Sequence, residues 1–127
     1  MAETREKVME RAGKYLQKGQ KKRALREYEK LLARDPDDAR AMRRVADLCA
    51  QEGDPERAVE LYLRVAADLE GEGFCDRAAS IYKQVLLIDQ GNLEANLRLA
   101  DAYVEMGFEG DAVTLLQSAA SHYEAEG

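Results

Sequence analysis

Tryptophan is absent from this chain, histidine occurs once, and cysteine and proline occur twice each. Each scarcity removes a class of protein. Cys49 and Cys75 have twenty-five residues between them and lie outside any CxxC, and His122 is the lone imidazole, so neither a zinc site nor a disulfide framework is expected. The two thiols read as small structural residues, Cys49 in a helix core and Cys75 near a helix start. Long apolar runs are missing too: the longest aliphatic run, Val85 to Ile88, cannot span a bilayer, which predicts no membrane insertion. The opening MAETREKVMERAGKYLQKG carries charge every few residues and lacks the apolar centre of a signal peptide, which predicts a cytoplasmic protein.

What is abundant points one way. A chain of 127 residues, 46% apolar and 35% charged, is the size and composition of one folded domain. Ala, Leu, Glu and Arg dominate, and these side chains lose little rotamer freedom on a helix, so the expectation is an all-α protein. Charge is unevenly distributed. Residues 1–44 hold fourteen Lys/Arg against eight Asp/Glu, whereas residues 45–127 hold five against seventeen. The molecule should be an electrical dipole.

Internal repetition is plain. Gly19, Gly53, Gly73 and Gly107 are each followed five residues later by Ala24, Ala58, Ala78 and Ala112. Four residues further come Tyr28, Tyr62, Tyr82 and, in the last copy, Leu116. The glycine intervals are thirty-four, twenty and thirty-four, so the longer unit is fifty-four residues. At that offset Asp35 matches Asp89, Ala46-Asp47 matches Ala100-Asp101, Ala58-Val59 matches Ala112-Val113 and Ala66 matches Ala120. Thirty-four residues accommodate two antiparallel helices; fifty-four leave room for three.

Periodicity and breakers predict seven helices at about 4–18, 21–34, 38–52, 55–71, 74–89, 92–106 and 109–125. The four signature glycines can close a helix in the left-handed conformation. Asp35-Pro36-Asp37-Asp38 and Asp89-Gln90-Gly91-Asn92 read as turn-and-cap clusters, and Asp54-Pro55 as an N-cap before a first-turn proline. Short loops make neighbours antiparallel.

These residues resemble the tetratricopeptide repeat family. Residues 5–38 carry its pattern in Ala12, Tyr15, Gly19, Ala24, Tyr28, Leu31-Leu32 and Pro36. Residues 39–72 carry it in Ala46, Gly53, Ala58, Tyr62 and Val65, with Cys49 in place of a tyrosine and Glu70 in place of a proline. Residues 93–126 carry it in Leu99, Ala100, Tyr103, Gly107, Ala112 and Leu116, again without the final proline. The resemblance implies a right-handed α-solenoid. It is nearest to the long arrays of bacterial assembly, secretion and motility systems, which implies a bacterial origin.

The interval of twenty then has a meaning. In helix 55–71 the polar residues Glu60, Arg64 and Asp68 form one narrow stripe, and apolar residues including Leu63, Ala66 and Ala67 cover most of the remainder. One helix is expected to close one repeat and open the next. Helix 109–125 repeats the arrangement with Ala112, Val113, Leu115, Ala119, Ala120 and Tyr123, and stops at Gly127 where another unit would begin. Two expectations stand: an N-terminal piece of a longer array, which would homodimerise through helix 109–125, or a complete protein capped by a polar last helix.

No catalytic constellation is visible. Ser118, Ser121 and His122 read as a helix surface, Gly71-Glu72-Gly73 lacks the spacing and lysine of a phosphate loop, and Asp35 to Asp38 lacks a closing glutamate for calcium. The expectation is a non-enzyme with no cofactor and no metal. What stacked repeats do is bind, along an inner surface lined by the first helix of each pair. The exposed stripe of helix 38–52 is Arg40, Arg43, Asp47 and Gln51; the matching stripe of helix 92–106 is Glu94, Leu97, Asp101 and Glu105. These eight are the candidate partner-binding residues for a protein or peptide segment. The carboxylate clamp by which some family members hold chaperone C-termini is not intact, since Met9 and Gly13 occupy the lysine and asparagine places. An alternative is an electrostatic nucleic-acid or anionic-membrane module using the basic region from Lys14 to Arg44. Its aromatics, Tyr15 and Tyr28, belong to the repeat core, so no specific nucleic acid is expected.

Overall fold

The computed structural model describes residues 3–127, and among these residues the only regular elements are seven α-helices. They are α1 Arg5–Gln17, α2 Lys21–Arg34, α3 Ala39–Gln51, α4 Pro55–Gly71, α5 Cys75–Ile88, α6 Leu93–Glu105 and α7 Glu109–Glu126. Every end lies within one residue of its expected position.

The agreement has a local cause, because two kinds of turn recur along the chain. Before α1, α3 and α6 a side chain caps the helix: Thr4 accepts from the Lys7 amide at 3.3 Å, Asp38 from Ala41 at 3.1 Å and Asn92 from Ala95 at 2.9 Å. Before α2, α4, α5 and α7 the signature glycine does the work. Gly19, Gly53, Gly73 and Gly107 have φ of 72°, 87°, 88° and 82°. In each case the next amide, of Gln20, Asp54, Phe74 or Phe108, turns back to the carbonyl five residues earlier, on Tyr15, Cys49, Leu69 or Tyr103, at 2.7–2.9 Å. This six-to-one bond is the Schellman closure, which needs a left-handed residue at the turn and therefore glycine.

The chain divides into two compact units, residues 1–61 and 62–127, and the division falls inside the unbroken helix α4, between Leu61 and Tyr62. In the first unit α2 packs on both α1 and α3; in the second α6 packs on both α5 and α7. The core of each unit is built on fully buried alanines, Ala12, Ala24, Ala41 and Ala46 in the first and Ala66, Ala78 and Ala95 in the second, all with 0% exposure. A methyl side chain lets two helix backbones approach closely, and larger residues fill the flanking space. Signature residues Tyr28, Tyr62 and Tyr82 are that filling and are buried; the fourth, Leu116, is 41% exposed.

Two expectations need correction. Ala67 is exposed rather than part of the apolar cover of α4, whose outward residues are Glu56, Glu60, Arg64, Ala67 and Asp68. The last helix does not repeat the burial of α4: Ala112 and Ala119 are buried and Leu115 and Tyr123 half-buried, but Val113 and Ala120 are exposed. Periodicity marks which positions can be buried; burial itself needs a neighbour on that side. No helix among the described residues is long and apolar enough to cross a membrane.

Candidate functional site

The eight candidate residues fall on two faces, one in each unit. On α3, Arg40, Arg43 and Gln51 are exposed and Asp47 is half-buried, at successive spacings of three, four and four. The opposite side of the same helix is closed, with Met42, Val45 and Ala46 at 0% exposure and Cys49 buried. On α6, Glu94, Leu97, Asp101 and Glu105 repeat the spacing and are all exposed, while Ala95, Asn96, Leu99, Ala100 and Ala102 are buried behind them. The two stripes are related by the fifty-four-residue offset but not by chemistry. Arg40 and Arg43 become Glu94 and Leu97, and Gln51 becomes Glu105.

Each face is anchored from its N-terminal end. Arg5 holds the α3 cap residue with two parallel bonds, Nε to Oδ2 of Asp38 at 2.8 Å and Nη2 to Oδ1 at 3.0 Å. This hydrogen-bonded guanidinium, helped by the Ala41 amide, holds the Asp38 carboxyl below the usual carboxylate range against the opposing effect of burial. Ahead of α6, the amide nitrogen of buried Asn96 donates to the Gln90 carbonyl at 3.2 Å and to the Asn92 carbonyl at 3.0 Å. Tyr123 of α7 donates to the Gly91 carbonyl at 2.8 Å. The α6 face therefore projects from a turn tied on two sides.

Other polar pairs serve packing. Glu27, buried on α2, lies between Arg11 at 3.1 Å and Lys30 at 3.0 Å. Arg57 bonds Glu29, which raises the guanidinium further, and burial pushes the Cys49 thiol up. Tyr82 donates its phenol to Glu70, whose other oxygen is 3.9 Å from Arg98. Sequence reasoning missed this cluster, reading Glu70 only as a replaced proline. It also passed over Leu93, Val104 and Phe108, exposed by 57%, 51% and 52% beside Leu97. For Leu93 and Val104 the spacing from Leu97, by four and seven residues, was the available signal. Cys49 and Cys75 are free thiols, the first buried and the second half-buried at the first turn of α5. On the first unit a hollow of about 340 Å³ is lined by Gly19, Gln20, Lys21, Lys22, Arg23 and Glu52.

Two family models described as tetratricopeptide repeat match, one over residues 10–72 and the other over 69–125. The chain belongs to the tetratricopeptide repeat family. The first match begins inside α1 and runs through α4, and the second begins at the end of α4 and runs into the last turn of α7. Among solved structures, the TPR domain of Arabidopsis FLU is similar with a TM-score of 0.55 at 19% identity, over 94% of this chain and 93% of that one. Two crystal structures of MamA are similar with TM-scores of 0.51 and 0.50 at 18% identity, over 95% and 94% of this chain and 79% and 73% of theirs. At these identities the likeness is one of fold. No curated protein sequence matches. The chain is an all-α helical-repeat solenoid of the tetratricopeptide kind, and in general terms a protein-interaction scaffold.

Proposed function

We propose that the chain is a non-enzymatic adaptor that holds a segment of a partner protein along the concave side of the array, through the exposed faces of α3 and α6. The supporting observation is the repeated stripe: in two helices fifty-four residues apart, the same spacing of three, four and four is kept out of a core that is otherwise closed. Its side chains differ between the helices, whereas Ala41 and Ala46 recur behind them as Ala95 and Ala100. Packing constrains the buried side, and the exposed side is free to follow a ligand. The setting is the bacterial cytoplasm, in an assembly, secretion or motility system.

The test is affinity capture from an extract of the source cells, read by mass spectrometry at moderate and high salt. The wild-type chain is expected to retain a defined protein. Arg40→Glu with Arg43→Glu, or Leu97→Asp with Asp101→Arg, should reduce capture by about tenfold or more while leaving the helical circular-dichroism spectrum unchanged. A partner kept equally by both double variants overturns the assignment of these faces. Capture that vanishes with salt and transfers to any polyanion would instead support an electrostatic module built on the basic hollow at Lys21, Lys22 and Arg23.

A further inference from the structure

The eight large hydrophobic residues that are exposed in the described chain all lie between Phe74 and Leu116, in the second unit. Three of them form one row: Leu93, Leu97 and Val104 follow one another on α6 at intervals of four and seven, and Phe108, also exposed, stands just past the helix end. Spacings of four and seven keep residues on one side of a helix at 3.6 residues per turn. Alongside, on the same exposed side, run Glu94, Asp101 and Glu105, again at seven and four. The solvent face of α6 is thus two parallel strips, one apolar and one acidic, about 20 Å long.

The repeat architecture does not require this. At the offset of fifty-four the apolar row and Phe108 correspond to Ala39, Arg43, Ala50 and Asp54 in the first unit, where the core behind is built equally well. The acidic strip is not neutralised locally either. Arg98, the cation that follows it around the helix, is directed to Glu70 at 3.9 Å. The second unit as a whole carries twelve Asp/Glu against four Lys/Arg.

We infer that the α6 face docks an amphipathic, basic helix of a partner protein, one that sets a row of bulky apolar side chains on Leu93, Leu97 and Val104 and Lys or Arg against Glu94, Asp101 and Glu105. Apolar burial supplies the attraction and the charged strip fixes which way the helix lies. The same charge argues against other occupants. A second copy would bring acid against acid on this face, and among the described residues its more basic first unit exposes no large hydrophobic residue to fill the row. Nucleic acid and anionic lipid would be repelled. This inference rests on the reading of the chain as a partner-holding scaffold and narrows it to one face and one partner chemistry.

The probe is a fluorescein-labelled, amidated eighteen-residue peptide of Leu, Lys and Ala, with Leu at helical spacings of four and seven and Lys along one adjoining side. Binding is followed by fluorescence anisotropy and mapped by amide chemical shifts of the intact chain. The peptide should bind with perturbations centred on residues 93–108. A scrambled peptide of the same composition, and one with Glu for Lys, should each bind at least about tenfold more weakly. Leu97→Ala with Val104→Ala should weaken binding by a similar factor, and Lys7→Glu, on the exposed side of α1, should change it less than about twofold. Equal binding of the scrambled peptide, perturbations away from α6, an α6-dependent dimer in sedimentation velocity, or no binding would each overturn the inference. Failure here is separable from failure of the scaffold reading. A native partner that is lost from the α6 variants, yet contains no such helix, removes this inference and leaves the scaffold in place.

Discussion

Arg5, the first residue of α1, clasps Asp38, the residue that caps α3, through two parallel bonds of 2.8 and 3.0 Å across thirty-three residues of sequence. One carboxylate thus does two jobs, satisfying the Ala41 amide at the helix start and tying α1 to α3. A bidentate guanidinium pair is geometrically specific, but Arg5 keeps 40% of its side-chain exposure, so water screens much of its strength.

A pH dependence follows from the lowered Asp38 carboxyl. A group whose folded value lies below its unfolded value adds stability that is present above the unfolded value, near 4, and is lost as pH falls through the folded one. Arg5→Gln should therefore cost no more than about 1 kcal/mol at pH 7. The gap between wild type and variant should close as pH drops below about 4. Thermal unfolding followed by circular dichroism between pH 7 and pH 2.5 reads both; a gap that persists at the acid end would contradict the assignment.

Tyr82 and Glu70 make the converse case. The phenol is 1% exposed, and burial together with the bond to the Glu70 carboxylate raises it above the ordinary tyrosine range. Stability from this pair is complete below the unfolded value, about 10, and is lost as pH rises beyond it toward the folded one. Tyr82→Phe should cost roughly 1–2 kcal/mol at neutral pH, the range for a hydrogen bond to a charged group that keeps other partners. The variant should lose less stability than wild type between pH 9 and pH 11. Denaturant titrations at several pH values would show a parallel decline in both proteins if the bond were unimportant.

How much of this was legible beforehand divides along physical lines. Helix ends are local events: the cap residues Asp38 and Asn92 and the left-handed glycines carry the instruction within a few residues, and the ends were readable. Which residues share a side of α3 or α6 was readable for the same reason, because a helix face is a spacing, but the half-burial of Asp47 was not. Exposure of Val113, Ala120 and Leu116 was not, since it depends on what lies beside α7 and not on α7 itself. Nor was the Tyr82–Glu70–Arg98 cluster, whose members are twelve and twenty-eight residues from Glu70 and meet only through packing. The apolar row at Leu93 and Val104 was hidden differently. Leucine and valine next to a buried stripe read as core until the core is seen to be complete without them.

The signature glycines offer a test of backbone alone. Gly73 has φ of 88°, and a Cβ built there would meet no atom within 4 Å. Any loss in Gly73→Ala must then come from forcing an L-residue into the left-handed region, about 1–2 kcal/mol. Gly13, inside α1, also has open space around a built Cβ but carries no positive φ. Gly13→Ala should accordingly stabilise by roughly 0.5–1 kcal/mol. Opposite signs from two identical substitutions, each into open space, would isolate the conformational term; equal signs would show that contacts decide.

The fifty-four-residue repeat supplies its own control for packing. Ala66 on α4 and Ala120 on α7 occupy matching positions, yet Ala66 is fully buried and Ala120 is exposed. Ala66→Leu forces three extra carbons into a closed crossing and should cost about 1–3 kcal/mol. Ala120→Leu adds the same carbons to a free surface and should stay within about 0.5 kcal/mol. Chemical denaturation of the two variants measures the difference directly. If α4 packs along this side only loosely, Ala66→Leu will be as harmless as Ala120→Leu, and the reading of Ala66 as a closed crossing fails with it. A large cost at Ala66 alone would instead mean that the same repeat position is core or surface according to what packs against it.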